Sequence, residues 1–486
     1  MRTPSRPSLL LSLIPIIFLL VLLVVNVVFI YGDDALGGAN QMALLLSAAV
    51  AGAIAMKLGY SWQTILDGIV SGISNAMGAI LILLLIGSLA GTWMLSGIVP
   101  AMIYYGLNIL NPGIFLFAAC IICSIVSLAT GSSWSTAATV GIALLGIGKA
   151  LGIQEGIIAG AIISGAYFGD KMSPLSDTTN LASAMAGTDL ITHVKYMTLT
   201  TLPSLSVALL LYLGIGLFSN VSGQVEGIHT LQAAIASKFN ISGWLFVVPL
   251  LVVGMIAMRV PAIPALLAGT LLGAVAAILF QPHLLPVISG ISDDPWKAAY
   301  RAVTEAMTRT IQIQTDNEMV NDLLTSGGMA GMLDTVWLIV CAMTFGGVME
   351  VTGMLRTITS TLLGMSRSEG ALISTTALSC IVFNLTASDQ YLAIVVPGRM
   401  FREEYKKRGL DPRVLSRTLE DSGTVTSALV PWNTCGAYHS GVLGVATGDY
   451  FLYAFFNLLS PVMTMLFGYL NIRIVRLKND NSQKQN

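Results

Sequence analysis

The chain has 486 residues, 55% of them hydrophobic and only 10% charged, with a formal net charge of −1. Soluble domains carry roughly 25% charged residues, so a soluble core is excluded, and without a basic surplus no nucleic-acid partner is expected. The five cysteines, Cys120, Cys123, Cys341, Cys380 and Cys435, all lie in apolar segments. Cys120-x-x-Cys123 has no second pair and no nearby His, so it reads as two small apolar residues on a buried helix.

Arg2 and Arg6 precede an apolar run from Leu9 to Ile30, too long for a secretory h-region and without an A-x-A end, so it reads as a retained first span. Basic residues mark the cytoplasmic side, which puts the N-terminus inside, Asp33 and Asp34 outside, and the C-terminal Arg473, Arg476 and Lys478 inside. From Gly68 to Gly148 there are 81 residues without Asp, Glu, Lys or Arg. A bilayer-crossing helix needs about 20 mostly apolar residues, so this stretch holds several.

Apolar runs predict spans near 9–30, 40–57, 72–96, 113–129, 134–148, 154–168, 194–218, 243–258, 261–280, 333–356, 369–384, 389–400, 417–430 and 449–470. Some are too short to cross alone and read as half-helices or re-entrant hairpins, so about 11 to 13 crossings are expected from segments of this length. Residues 219–242 are polar enough for an external loop. Residues 291–332 carry Trp296, Arg301, Glu305, Arg309, Asp316, Glu318 and Asp322 at helical spacing, which predicts an interfacial or solvated helix connecting two halves.

Four breaks interrupt the apolar pattern: Thr130 to Thr136, Gly169 to Asn180, Asn384 to Gln390, and Glu420 through Gly423 to Pro431–Thr434. Each sets hydroxyls, amides or carboxylates beside Gly or Pro. Non-helical backbone is tolerated at membrane depth only where protein or a water-filled cavity satisfies it. A shift of 256 superposes Gly91 on Gly347, Gly97 on Gly353, Thr130 on Thr386, Ser132 on Ser388 and Ser133 on Asp389, with Pro174 one residue short of Pro431. Such duplications build transporters with a site at the repeat interface. The loop after the second copy's break is basic (Arg399, Arg402, Lys406, Lys407, Arg408, Arg413), whereas Gly146 to Glu155 has only Lys149 and Glu155. The copies are therefore expected to be inverted.

The fold expected is thus an all-α polytopic membrane protein of two inverted-topology repeats with discontinuous helices. Its domains are an N-terminal anchor 1–39, a first repeat 40–218, connecting loops, spans and an interfacial helix 219–332, a second repeat 333–470 and a cytoplasmic tail 471–486. Intramembrane carboxylates are costly unless paired or functional, which singles out Asp170, Asp177, Asp389 and Asp421. A hard cation such as Na+ wants several oxygens. Ser132, Ser133, Thr136, Ser173, Thr178, Asn180, Thr386, Ser388, Asn433 and Thr434 are the candidate donors, with Na+ placed at Asp170, Asp177 and Asp389. Lys171 beside Asp170 and Arg399 near Asp389 are candidates for balancing charge or holding an anion. Glu350, opposite Met94 in the repeat, reads either as a proton carrier or as an interface residue. The four histidines, His193, His229, His283 and His439, read as interfacial. There is no phosphate-binding Gly-rich loop and no nucleophile, base and orienter set, so neither an ATP-driven pump nor an enzyme is expected, and no cofactor.

ATGSSWSTAATVG at 129–141, GAYFGDKMSPLSDTTNLA at 165–182, TASDQYLAIVVPGRMF at 386–401 and LEDSGTVTSALVPWNTCGAY at 419–438 resemble the NhaC family of sodium/proton antiporters. The resemblance extends over most of residues 40–470. It implies secondary Na+/H+ antiport in a bacterial inner membrane, with Na+ and H+ as the species moved. Relatives that exchange malate with protons for lactate with sodium, or that move amino acids, share these motifs. A sodium-coupled carboxylate exchanger is therefore the alternative; a homodimer is the expected assembly. A passive channel or a non-transporting scaffold is a third reading, disfavoured because the breaks come as two unlike copies in one chain and not as a symmetric ring.

Overall fold

The computed structural model describes residues 5–31, 37–109, 111–218, 225–315, 321, 323–364 and 366–477. Apart from a two-stranded ribbon pairing Ile311–Gln312 with Thr325–Ser326 and a single bridge between Leu410 and Arg476, the described secondary structure is helical. Among the described residues, seven helices are long and apolar enough to cross a membrane, or up to nine if each of two bent pairs is one span. The chain is a multi-pass membrane protein. The count is below the 11 to 13 expected because several apolar runs form short or interrupted helices, such as Leu9–Val24 and the run broken into Ser133–Thr136, Ala137–Gly141 and Ile142–Ala150.

The first hairpin joins Pro112–Thr130 to a helical run over 133–150, and Gly148 near its end packs against Phe115 near its beginning. The second joins Glu369–Thr386 to Gln390–Lys407. There Arg408, just past the end, donates to the carbonyls of Ser366 and Ser368 at 2.8 and 3.0 Å. Both hairpins therefore begin and end on one side. The sides differ, as two long helices show. Leu190–Phe218 has Gly216 against Gly113 of the first hairpin, while at its other end His193 bonds Ser416 beside the second. Phe455–Tyr469 follows Tyr453, which packs on Gly160 near the first mouth, and ends with Tyr469 against Gly370 at the second.

The two halves repeat element by element. Helices 112–130 and 369–386 are followed by helices starting at Ser133 and Gln390, then Glu155 and Pro412, then the ten-residue helices Asp177–Ala186 and Thr434–Leu443. Left-handed residues pair the same way: Gly131 with Ser388, Gly152 with Gly409 and Gly187 with Gly444, each 257 apart. The register expected from sequence is thus one residue off beyond the first break. Ser132, not Ser133, matches Asp389, and Pro174 matches Pro431.

Two further expectations are corrected. Within 219–242 a helix forms over Val225–Lys238, because Leu231 and Ile235, one turn apart, are both buried. Within 291–332 the amphipathic helix spans only Pro295–Thr308, capped by Asp294 and supported by an Arg301–Glu305 pair at 2.9 Å, and the ribbon Ile311–Gln312 with Thr325–Ser326 follows it. It buries four alanines and leaves Trp296 and Tyr300 exposed, as a helix lying at a membrane interface does. Asp316, Glu318 and Asp322 lie outside the described residues, as do Arg2, Asp33, Asp34 and Lys478.

A candidate cation site where four chain breaks meet

Each break is built from capping chemistry. Gly131, at φ 70°, ends the first arm, and Ser132 then caps the next helix by accepting from the Ser135 amide at 3.2 Å. In the second copy Ser388 takes φ 59°, and Asp389 caps by accepting from Leu392 at 2.9 Å. A side chain in this region costs about 1 kcal/mol. Ser388 is held there as its carbonyl accepts from the Thr434 amide at 2.9 Å, the first turn of the fourth break's helix. Ser176 and Asn433 cap the two ten-residue helices.

Hydrogen bonds stitch the breaks in pairs. Ser133 donates its amide and hydroxyl to one oxygen of Asp170 at 3.0 and 2.6 Å, joining the first break to the Gly169–Asn180 break. Asn433 donates to the carbonyl and side-chain oxygen of Asn384, both at 3.1 Å, joining the other two. All four then border one cavity of about 340 Å³, with Ser132 and Ser135, Asp170, Ser176, Asp177 and Thr178, Asp389 and Gln390, and Thr434 in its wall. It shares Ser132, Ser135 and Asp177 with a neighbouring cavity of about 510 Å³ that continues past Asn180 and Leu190 to Arg259.

Of the residues singled out from sequence, Asp170, Asp177, Asp389, Ser132, Thr178 and Thr434 line the central cavity, and Asn180 lines its continuation. Ser133 is spent on Asp170. The Thr136 and Thr386 hydroxyls donate to the Ser132 and Val382 carbonyls, and Ser173 accepts from the Leu175 amide. Thr136, Ser173, Thr386, Ser388 and Asn433 are buried, shaping the breaks without lining the cavity.

Lys171 balances charge, but with a different acid from its chain neighbour. Lys171 pairs with Asp421, not Asp170, and Asp421 also accepts from Thr200 at 2.9 Å and Ser460 at 3.1 Å, away from the cavity. Asp170 and Lys171 are consecutive on one helix, so their side chains point about 100° apart. Arg399 is exposed and ten residues along its helix from Asp389, about 15 Å. The histidine expectation fails at two positions: His193 and His439 are fully buried, the first bonded to Ser416 and the second against Tyr167 and Tyr438. Glu350 is exposed near the end of Leu333–Val351.

Sequence reasoning missed Ser135, Ser176, Gln390 and Tyr391, which lie inside the quoted motifs, and Asn75, an amide in the charge-free stretch. It also passed over Glu420, fully buried and accepting from the hydroxyls of Thr424 and, at 3.2 Å, Thr179. Among the described residues no three His, Cys, Asp or Glu side chains converge into a metal cage. The three cavity acids therefore share a wall without forming one carboxylate cluster. The arrangement offers a carboxylate with hydroxyl, amide and carbonyl oxygens, and no Lys, Arg or His in the wall of the central cavity. Such a pocket favours a small cation over an anion.

The model of the Na+/H+ antiporter family matches residues 165–472. The chain belongs to that family. It is 39% identical over 430 residues to the Na+/H+ antiporter NhaC of Alkalihalophilus pseudofirmus, covering 88% of this chain and 89% of the relative. It is 37% identical over 441 residues to the malate-2H+/Na+-lactate antiporter of Bacillus subtilis, covering 90% and 91%. It is also 36% identical over 469 residues to the arginine/ornithine antiporter ArcD of Halobacterium salinarum, covering 96% and 92%. The named relatives are all antiporters, and the family match spans three of the four breaks around the cavity.

Proposed function

We propose that this protein exchanges Na+ for protons by alternating access, with the central cavity as the shared site. The observation that carries the reading is a wall holding Asp170, Asp177 and Asp389 and no basic side chain. Burial disfavours the charged form of an acid and a bound cation favours it, so Na+ and protons compete for the same carboxylates and exchange follows. Asp177, exposed into both cavities, is the primary ligand; Asp170 and Asp389 hold the exchanging protons with it.

In this proposal the halves are inverted copies, consistent with hairpins opening at opposite ends of Leu190–Phe218. The basic mouth at Arg402, Lys406, Lys407 and Arg408 faces the cytoplasm of a bacterial cell, and both termini lie inside. The continuous cavity reaches Leu190, on that same side, so the conformation is inward-facing. Transport needs no resident cofactor.

The carboxylate-exchange alternative is supported by the 37% identity to the malate-2H+/Na+-lactate antiporter and by Arg259 in the wall of the wider cavity. Neither Lys171, paired with Asp421, nor the exposed Arg399 lines either cavity. Proteoliposomes decide between the readings. Na+-driven proton movement without organic acid supports antiport; exchange of labelled malate or lactate with no Na+/H+ movement in their absence overturns it.

A further inference from the structure

A third cavity, of about 310 Å³, lies on the opposite side of the fourth break. Its wall includes Asp334, Thr335, Ser440, Thr447 and Pro431, with no Lys, Arg or His. It sits at the first hairpin's end of the molecule: Thr447 opens the bent pair that carries Asp449 and Tyr453 against Gly156 and Gly160. Helix Thr434–Leu443 divides the two spaces. Thr434 faces the central cavity, and Ser440, about 9 Å further along the axis, faces this one.

The dividing helix also carries one half of an aromatic pair that borders the central cavity. The Trp134 ring stacks on Tyr438 with centroids 4.0 Å apart and planes 17° from parallel, and the Tyr438 hydroxyl donates to the Trp134 carbonyl at 2.9 Å. Trp134 comes from the first half and lines the central cavity; Tyr438 comes from the second. Both are mounted on short, interrupted supports. Trp134 rides on the one-turn helix Ser133–Thr136, between left-handed Gly131 and a π-helical segment, Ala137–Gly141. π segments within helices recur at functional sites, and here the regular ladder is broken on both sides of Trp134. Tyr438 sits between the fourth break and left-handed Gly444.

We propose that the third cavity is the outer vestibule of the transport pathway, with Asp334 as its cation-attracting group, and that the Trp134–Tyr438 stack is the outer gate. The proposal rests on the antiport reading and adds the route by which the ion reaches the far side. Separation of the two rings joins the vestibule to the central cavity while the inner opening closes.

Thiol labelling with a membrane-impermeant reagent tests it, because the five native cysteines are all buried. Cysteine at Ser440 is labelled from outside, and cysteine at Thr434 from inside only. Trp134→Ala or Tyr438→Ala raises outside labelling of the Thr434→Cys protein roughly tenfold, a population shift expected when a closing contact is lost. Tyr438→Phe, which keeps the ring but not the hydrogen bond, gives a smaller rise. If the alanine variants do not accumulate, Tyr438→Phe and Trp134→Phe decide on the same readout. An unlabelled Ser440→Cys, or outside labelling of Thr434→Cys unchanged by every gate substitution, overturns the gate. Loss of the antiport reading is separate: it appears as no Na+-driven proton movement in the unmodified protein.

Discussion

Asp170 and Lys171 are neighbours in the chain and do opposite things. Asp170 faces a cavity beside Asp177 and Asp389, with its charge met by hydrogen bonds from Ser133 and by no cation. Lys171 turns the other way, into a closed polar core where Asp421, Thr200 and Ser460 surround it and Arg417 stacks on Tyr196. The cavity keeps its acids available to a mobile partner; the core has already given its acid a fixed one. An intramembrane carboxylate is thus informative about ion binding only once its cation, or lack of one, is known.

The largest expected effect breaks the core side of this comparison. Asp421→Asn leaves the buried Lys171 and Arg417 without their shared carboxylate and destabilises the protein by about 3–5 kcal/mol, seen as a large drop in the thermal midpoint in detergent. Lys171→Met costs less, because Arg417 remains beside Asp421. On the cavity side, Asp177→Asn abolishes Na+-dependent proton movement in vesicles while expression and thermal midpoint stay near those of the unmodified protein. Full exchange in this variant would remove Asp177 from the site.

Asp389 sharpens the contrast because it has two duties. Asn can still cap a helix whereas Ala cannot, a difference of about 1 kcal/mol. Asp389→Asn therefore keeps stability and loses exchange, and Asp389→Ala loses both. Ser388→Gly relieves the left-handed strain and raises stability by less than about 1 kcal/mol. Arg399→Ala, at an exposed position, changes neither stability nor exchange measurably; an altered Na+ affinity would restore it to the site.

The membrane fold and the four breaks were legible because absence of charge over 81 residues and clusters of Ser, Thr, Gly and Pro are local signals. The partner of Lys171 was not, since Asp421 lies 250 positions away and adjacent residues on a helix face different surroundings. The proposed repeat aligns at 256 in sequence on cheap matches of Ser and Gly, whereas the left-handed pairs Gly131 with Ser388, Gly152 with Gly409 and Gly187 with Gly444 lie 257 apart. The helix over Val225–Lys238 escaped notice because few residues anchor it within a polar stretch: Leu231 and Ile235 are buried, and Gln232 donates to the Tyr104 carbonyl.

The central claim is that a cation and protons displace one another at the cavity acids. Adding Na+ to the purified protein in weakly buffered detergent, with a pH-sensitive dye, measures this directly. The account predicts that Na+ releases protons, that the release falls as the starting pH is raised, and that Asp177→Asn abolishes it. Na+ binding without proton release at any pH would contradict it.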